Sequence, residues 1–195
     1  MPLDRRPAAG ASPVADRSPL PPVLAVVCGL PGVGKSTVAR AVADRIPATV
    51  LRTDVLRTEL YADPSYTTAE TVDVYDELLT RAFDHLDVGE SVVLDATFKT
   101  GERRIQARDL ASQVGARFRL VRVECEASVL EGRIEERDGV SDADLNVHVE
   151  FRDRFEPLAL DHVVVDNSGS RAATEDRVAR AFGDVVAADP RRPPR

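Results

Sequence analysis

Residues 23–37 read VLAVVCGLPGVGKST, and this stretch decides the fold. Its first six residues are a continuous apolar run, which is typical of a strand buried on both faces of a parallel sheet. The spacing GxxxxGK[ST] follows at once, matched by Gly29, Gly34, Lys35 and Ser36. Glycines let the main chain wrap closely around a phosphate group, with N–H groups and a helix start facing the anion. We therefore predict a phosphate-binding loop between a strand and a helix.

This loop predicts binding of ATP and Mg²⁺. Lys35 is expected to reach the β and γ oxygens, and the Ser36 hydroxyl to bind the metal ion. Of the 26 lysine and arginine residues, only Lys35 and Lys99 are lysine, which indicates a site that needs a compact ammonium group. The alternative is a plain Gly/Pro turn. The predicted nucleotide-binding residues are Gly29, Leu30, Pro31, Gly32, Val33, Gly34, Lys35, Ser36 and Thr37.

Strand and helix patterns alternate along the chain, which indicates an α/β fold with a parallel sheet. Strands are predicted at residues 23–28, 48–52, 91–95, 118–124 and 162–166. Helices are predicted at residues 35–45, 54–60, 68–86, 102–114, 127–137, 141–155 and 171–187. Residues 1–22 are predicted to be a disordered leader, 23–187 one domain with a lid at about 127–157, and 188–195 a flexible tail.

Two carboxylates follow predicted strands, where ligands of open α/β sheets bind. Asp54 is placed to accept a proton from an attacking hydroxyl, and Arg57, three residues on, to hold an acceptor anion or the transferred group. The alternative is that Asp54 caps a helix and pairs with Arg57. Asp95 ends the third strand, as a Mg²⁺ ligand or as the base itself.

Further polar residues surround these carboxylates. Thr97, Lys99 and Arg103 are candidate substrate contacts, although Arg103 and Arg104 also fit an ordinary solvated helix face. Residues 166–169 read DNSG, which fits either an adenine contact or a plain turn.

Arg133 and Arg137 lie four residues apart in a predicted helix. Mobile arginines can neutralise the charge that develops on a transferred phosphoryl group, so this segment is predicted to close over the nucleotide. A surface helix with alternating charges is the alternative.

Composition limits the partners. A net charge of −7 disfavours long nucleic acids, and no apolar run reaches the roughly 18 residues that a membrane span needs. We expect a cytoplasmic protein.

Cys28 and Cys125 are predicted to be buried free thiols.

Several segments, in their order, resemble one family. They are residues 29–37, Thr53-Asp54 with Arg57, residues 93–98, Arg133 with Arg137, and residues 141–143 and 155–157. Over residues 23–166 the chain resembles the P-loop kinases that include zeta-toxin-like kinases, polynucleotide 5′-hydroxyl kinases and the kinase half of bacterial aminoglycoside-phosphotransferase-like fusion proteins.

The resemblance implies a three-layer P-loop NTPase fold, with a five-stranded parallel sheet, the loop strand at its centre and a helical lid. It also implies that Asp54 is the base, Arg57 the acceptor contact, and Arg133 and Arg137 the lid arginines. The predicted activity is transfer of the ATP γ-phosphate to a hydroxyl of a small molecule or nucleotide-type acceptor. The alternative is a nucleotide-dependent switch with slow ATPase activity.

Overall fold

The computed structural model describes residues 20–138 and 153–187, the side chains of residues 134–138 excepted. Most of the predicted leader, the predicted tail, residues 139–152 of the predicted lid and the side chain of Arg137 lie outside the described part. Within it, no helix combines the length and the apolar character that crossing a membrane would take.

Five parallel strands form one sheet in the order β2-β3-β1-β4-β5. They are β1 (Val23–Cys28), β2 (Ala48–Arg52), β3 (Ser91–Asp95), β4 (Arg117–Glu124) and β5 (Val163–Asp166). The strand before the phosphate loop, β1, lies in the centre, hydrogen-bonded to β3 on one side and β4 on the other. The predicted α/β fold with a five-stranded parallel sheet and a central loop strand is confirmed.

Seven helices connect and cover the strands in the described residues. They are α1 (Lys35–Arg45), α2 (Thr53–Leu60), α3 (Thr68–Asp87), α4 (Gly101–Gln113), α5 (Ala127–Asp138), α6 (Arg171–Ala181) and α7 (Gly183–Ala187). Local capping interactions explain why the ends of some helices were predictable from the sequence. The Thr67 side chain accepts the Glu70 N–H at the start of α3, and Gly115 takes a positive φ of 68° just after α4.

Each face of the sheet buries its own apolar cluster, because successive side chains of a strand point to opposite faces. Val23, Ala25 and Val27 of β1 pack in one cluster with residues of α1, α6 and α7. Leu24, Val26 and Cys28 pack in the other with residues of α2, α3 and α4. All six residues of β1 are buried, which is why its sequence is a continuous apolar run.

The closing helix, predicted as one helix over residues 171–187, is two helices. α6 ends at Ala181, and Phe182 takes φ −113° and ψ 14° before α7 begins at Gly183. Phe182 is fully buried in the same apolar cluster as Val178 and Val185. The break falls at this buried aromatic residue, whose tertiary packing helical periodicity does not show.

Arg104 does not lie on a solvated helix face, which was the alternative predicted for it. Its exposed fraction is only 1%. Its Nη2 donates to the carbonyl oxygens of Glu156 and Pro157, each at 3.0 Å, and its guanidinium lies 5.4 Å from the Phe155 ring centroid. Arg104 thus fastens residues 155–157 to α4.

Replacing Arg104 by alanine is expected to destabilise the protein by about 3 kcal/mol, because two carbonyl groups lose their donor and a buried side chain is removed. The thermal unfolding midpoint should fall by roughly 10 °C. Arg108→Ala is the matched control on the same helix, since Arg108 is exposed and pairs with the adjacent Asp109. Equal midpoints for the two variants would contradict a fastening role for Arg104.

Candidate active site

The phosphate loop depends on glycines that no other residue can replace without strain. Gly34 takes φ 87° immediately before α1. A Cβ atom added there would lie 2.0 Å from Nδ2 of Asn167, and one added to Gly29 would lie 2.7 Å from the Val123 carbonyl oxygen. The loop is therefore packed tightly against the ends of β4 and β5.

Gly34→Ala is expected to destabilise the protein by about 3 kcal/mol, from the positive φ and from the displacement of Asn167. It should also weaken nucleotide binding by more than about tenfold. Gly89→Ala is the matched control, because Gly89 has φ 83° but nothing within 4 Å of an added Cβ. Calorimetric unfolding and nucleotide titration measure both effects. If Gly34→Ala and Gly89→Ala lost the same stability, the clash with Asn167 would contribute nothing to the destabilisation.

Lys35 points back over the loop that precedes it. Its Nζ donates to the Leu30 carbonyl oxygen at 2.9 Å. Burial lowers the pKa of Lys35, while the negative charges of Asp95 and Asp54 oppose the shift. The ammonium group is thus held in a partly dry setting where charges interact more strongly than in water.

A hydroxyl and a carboxylate meet next to this lysine. The Ser36 Oγ donates to Oδ2 of Asp95 at 2.6 Å, and the Asp95 side chain is 4% exposed. Hydroxyl and carboxylate oxygens are ligands that Mg²⁺ takes, usually with only one or two protein ligands beside water and phosphate oxygens. In residues 20–138 and 153–187, no cluster of three or more His, Cys, Asp or Glu suggests a cage-type metal site. The predicted pair Ser36 and Asp95 therefore fits a magnesium ion bound together with nucleotide phosphates.

Arg52 completes this corner and was missed from the sequence. Its Nε donates to Oδ2 of Asp95 at 3.0 Å, and its Nη2 donates to Oγ of Ser36 at 3.1 Å. In the sequence, Arg52 ends the second predicted strand and Asp95 ends the third. The two residues stand opposite each other because β2 and β3 are neighbours in the sheet, and this strand order is not visible in the sequence pattern.

Asp54 lies at the same sheet edge with its carboxylate largely in solvent, 84% exposed. It belongs to the first turn of α2, which begins at Thr53, and it forms an ion pair with Arg52 at 3.8 Å. Arg57 instead pairs with Glu70 at 3.3 Å. The alternative in which Asp54 caps the helix and pairs with Arg57 is therefore wrong.

Three of the predicted substrate contacts already have protein partners in the structure. Arg57 is buried between α2 and α3, where it also donates to Thr71 and lies 4.8 Å from the Tyr66 ring centroid. Arg103 donates to Asp76 and lies over the Tyr75 ring. The Thr97 carbonyl accepts the N–H of Gly29 at 3.3 Å, which ties the loop after β3 to the phosphate loop.

Tyr75, a residue of α3, packs against the loop that follows β3 and stabilises it. Its hydroxyl accepts the N–H of Phe98, a residue with φ 46°, and the two rings meet edge to face at 5.2 Å. Burial raises the pKa of Tyr75 to about 12, so the hydroxyl stays neutral. This contact holds the strained turn that follows Asp95 and Thr97.

Arg133, a predicted lid arginine, contacts the opposite side of the phosphate loop. Its Nη2 donates to the Asn167 carbonyl oxygen at 2.8 Å, and its Nη1 lies 3.5 Å from the Val33 carbonyl oxygen. Asn167 is buried, donates from Nδ2 to that same Val33 oxygen and accepts from the Thr174 hydroxyl. Residues 166–169 are thus more than a plain turn, since Asn167 braces the loop.

A cavity of about 300 Å³ opens on this side of the loop. Its lining includes Gly34, Thr37, Arg40, Arg133, Asn167 and Arg171. Arg40 and Arg171 were not predicted, because nothing distinguishes them in the sequence from the many other arginines.

Both cysteines are free thiols. Cys28 is buried, and desolvation raises its pKa to about 11. Cys125 is half-buried just after β4, so the prediction of a buried thiol is wrong for this residue, whose sulfur lies 3.5 Å from Nη1 of Arg133.

Comparison with known proteins agrees with this geometry. A family profile described as an AAA domain matches residues 24–158. The chain belongs to this family. This AAA domain is 34% identical over 172 residues to an uncharacterized protein of Mycobacterium tuberculosis (strain ATCC 25618 / H37Rv), an alignment that covers 82% of the chain and 34% of the relative. The chain thus spans about a third of the length of the curated relatives it matches.

Solved structures share the fold of this AAA domain. A sugar kinase from Janibacter sp. HTCC2649 superposes with a TM-score of 0.65 at 19% identity, covering 86% of this chain and 98% of the kinase. The Mycobacterium tuberculosis APS kinase in complex with AMPPNP and APS gives a TM-score of 0.65 at 21% identity, covering 85% and 99%. At these identities the likeness shows the fold, and the predicted P-loop NTPase architecture is confirmed.

Proposed function

We propose that this chain is a kinase that transfers the γ-phosphate of ATP, with Mg²⁺, to a hydroxyl of a small-molecule or nucleotide-type acceptor. The observation that carries the proposal is the 2.6 Å contact between Ser36 and Asp95 beside the phosphate loop. We take these two side chains as the metal-binding pair beside Lys35, and the exposed carboxylate of Asp54, in the first turn of α2, as the base. A phosphate loop, a metal-binding pair and a solvent-exposed carboxylate are the parts that phosphoryl transfer needs.

Each part has a role in the proposal. Residues 29–37 hold the triphosphate through main-chain N–H groups, and Lys35 reaches the β and γ oxygens. Ser36 and Asp95 would hold Mg²⁺, which would supply positive charge to offset the charge of these phosphates. Asp54 is the base that accepts the hydroxyl proton. Asp95 is less suited to that task, because its Oδ2 already accepts hydrogen bonds from Ser36 and Arg52.

In this proposal, the nucleoside part of ATP binds in the cavity that Arg133 and Asn167 line beside the phosphate loop. Arg40, Arg133 and Arg171 line it together with Asn167, so residues 166–169 are our candidate adenine contact. Arg133 and Arg137 act as lid arginines on the transferred group, within a lid at about residues 127–157. For Arg133 this requires exchange of its present contact with the Asn167 carbonyl.

The acceptor side is formed by Arg57, Thr97 and Arg103 in this proposal. Arg57 is already neutralised by Glu70, so it binds an acceptor anion only by sharing or leaving that pair. A small acceptor is favoured by two similar folds, described as a sugar kinase and as an APS kinase bound to APS. A polynucleotide 5′-hydroxyl acceptor, suggested by the sequence resemblance, is the second candidate, and the net charge of −7 speaks against long strands.

ADP release tests the proposal directly. ATP and Mg²⁺ are incubated with the protein alone, then with separate pools of sugars and polyols, nucleosides and nucleotides, and 5′-hydroxyl oligonucleotides. One pool should stimulate release well above the background rate, with a product that carries one added phosphoryl group by mass spectrometry. If nucleotide binds but no hydroxyl pool changes the rate, the nucleotide-dependent switch becomes the better assignment.

A further inference from the structure

Arg52 contacts all three side chains that we propose to bind the metal ion or to act as the base. Its guanidinium contacts Asp95 at 3.0 Å, Ser36 at 3.1 Å and, more loosely, Asp54 at 3.8 Å. The Arg52 side chain is 34% exposed, whereas that of Asp95 is 4% exposed. A partly exposed cation therefore covers a nearly buried carboxylate.

The contacts of Arg52 coincide with the proposed metal ligands. Oδ2 of Asp95 and Oγ of Ser36 are the two oxygens that fit Mg²⁺, and Arg52 donates a hydrogen bond to each. A lone pair that accepts an N–H cannot at the same time bind a metal ion, and two cations at one site repel each other. The carboxylate and the hydroxyl keep further lone pairs, so Arg52 competes with a metal ion through charge repulsion and through the lone pairs that its N–H groups occupy.

We propose that Arg52 is a positioning residue that competes with Mg²⁺ for Asp95 and Ser36, an inference that rests on the proposed function. In the metal-free protein, Arg52 neutralises Asp95 and keeps the Ser36–Asp95 pair assembled. When the metal–nucleotide complex binds, the guanidinium withdraws toward Asp54, the other carboxylate within its reach. Arg52 thereby sets how much Mg²⁺ the protein needs.

The test is the Mg²⁺ dependence of ADP binding, measured by calorimetry at a series of Mg²⁺ concentrations. Arg52→Met should lower the half-saturating Mg²⁺ concentration by about tenfold, which is the effect of removing one competing charge-assisted contact. Arg52→Lys should lower it less, because one ammonium group cannot bridge both oxygens in the way a guanidinium does. The exposed Arg108→Met is the matched control and should keep the wild-type value.

Thermal unfolding separates this role from a merely structural one. Without metal and nucleotide, Arg52→Met should have a lower midpoint than the wild type, because Asp95 loses its neutralising partner. With saturating Mg²⁺ and ADP the difference should shrink, because the metal ion then takes the place of the guanidinium. A purely structural arginine would produce the same difference in both conditions, and that result overturns the inference.

An unchanged or raised Mg²⁺ requirement in both Arg52→Met and Arg52→Lys also overturns it. That result leaves the proposed function intact, as long as the wild-type protein binds ADP in the presence of Mg²⁺. A wild-type protein that binds no ADP with Mg²⁺ refutes the proposed function together with this inference.

Discussion

Lys35→Met is expected to weaken binding of ATP analogues with Mg²⁺ by about 100-fold and to abolish turnover. The variant keeps a flexible side chain of similar length but removes the ammonium group from a partly buried position. Charge-assisted hydrogen bonds contribute roughly 1.5–3 kcal/mol each, and every 1.4 kcal/mol is about tenfold in affinity. Titration calorimetry with a non-hydrolysable ATP analogue measures the loss, with Arg108→Met as a control for removing a positive charge elsewhere.

Folding should survive this substitution, which makes the result interpretable. Burial lowers the pKa of Lys35, so the fold disfavours the charged form relative to the unfolded chain. Below the lowered pKa the wild-type protein carries this unfavourable contribution, which disappears as the pH rises toward the ordinary lysine value. Lys35→Met lacks the contribution at neutral pH, so its unfolding midpoint should be equal or higher. Unchanged affinity in a folded Lys35→Met protein would contradict the whole assignment of the loop.

Features with a local cause were predictable from the sequence. The continuous apolar run of β1 predicts a strand buried on both faces, and all six residues are buried. The glycine spacing predicts a strand, a phosphate loop and a helix, and α1 begins at Lys35, directly after Gly34. These patterns depend on neighbours within a few residues, so one sequence is enough to show them.

The contacts that sequence reasoning missed act across long separations in the chain. Arg52 reaches Asp95 only because β2 and β3 are neighbours in the sheet. Asn167 braces Val33 because β5 ends close to the loop, although 134 residues separate the two. Arg104 looks like a surface arginine in sequence, yet it fastens residues 156 and 157. Helical spacing also allowed a pair of Asp54 with Arg57 as the alternative to a catalytic role, whereas α3 supplies Glu70 as the partner of Arg57.

Asp54→Asn is expected to reduce acceptor-stimulated turnover by about 1,000-fold, since an amide cannot accept the hydroxyl proton. Nucleotide affinity should stay within about threefold of the wild type, because the Asp54 carboxylate is 84% exposed and lies outside the Ser36–Asp95 pair. ADP release with the stimulating acceptor and calorimetry with Mg²⁺ and ADP measure the two effects separately. Asp87→Asn, at the exposed end of α3, is the matched control for losing one negative charge.

Asp95→Asn distinguishes the two candidate bases, because the two carboxylates differ in what else they hold. Asp95 accepts hydrogen bonds from Ser36 and Arg52, so its amide variant should lose Mg²⁺-dependent nucleotide binding together with turnover. Asp54→Asn should lose turnover alone. A normal rate in Asp54→Asn, with an active acceptor in hand, would transfer the role of base to Asp95 or to the solvent. The split between binding and turnover follows from burial, since a carboxylate enclosed by donors is placed to hold a cation and an exposed one is free to take a proton.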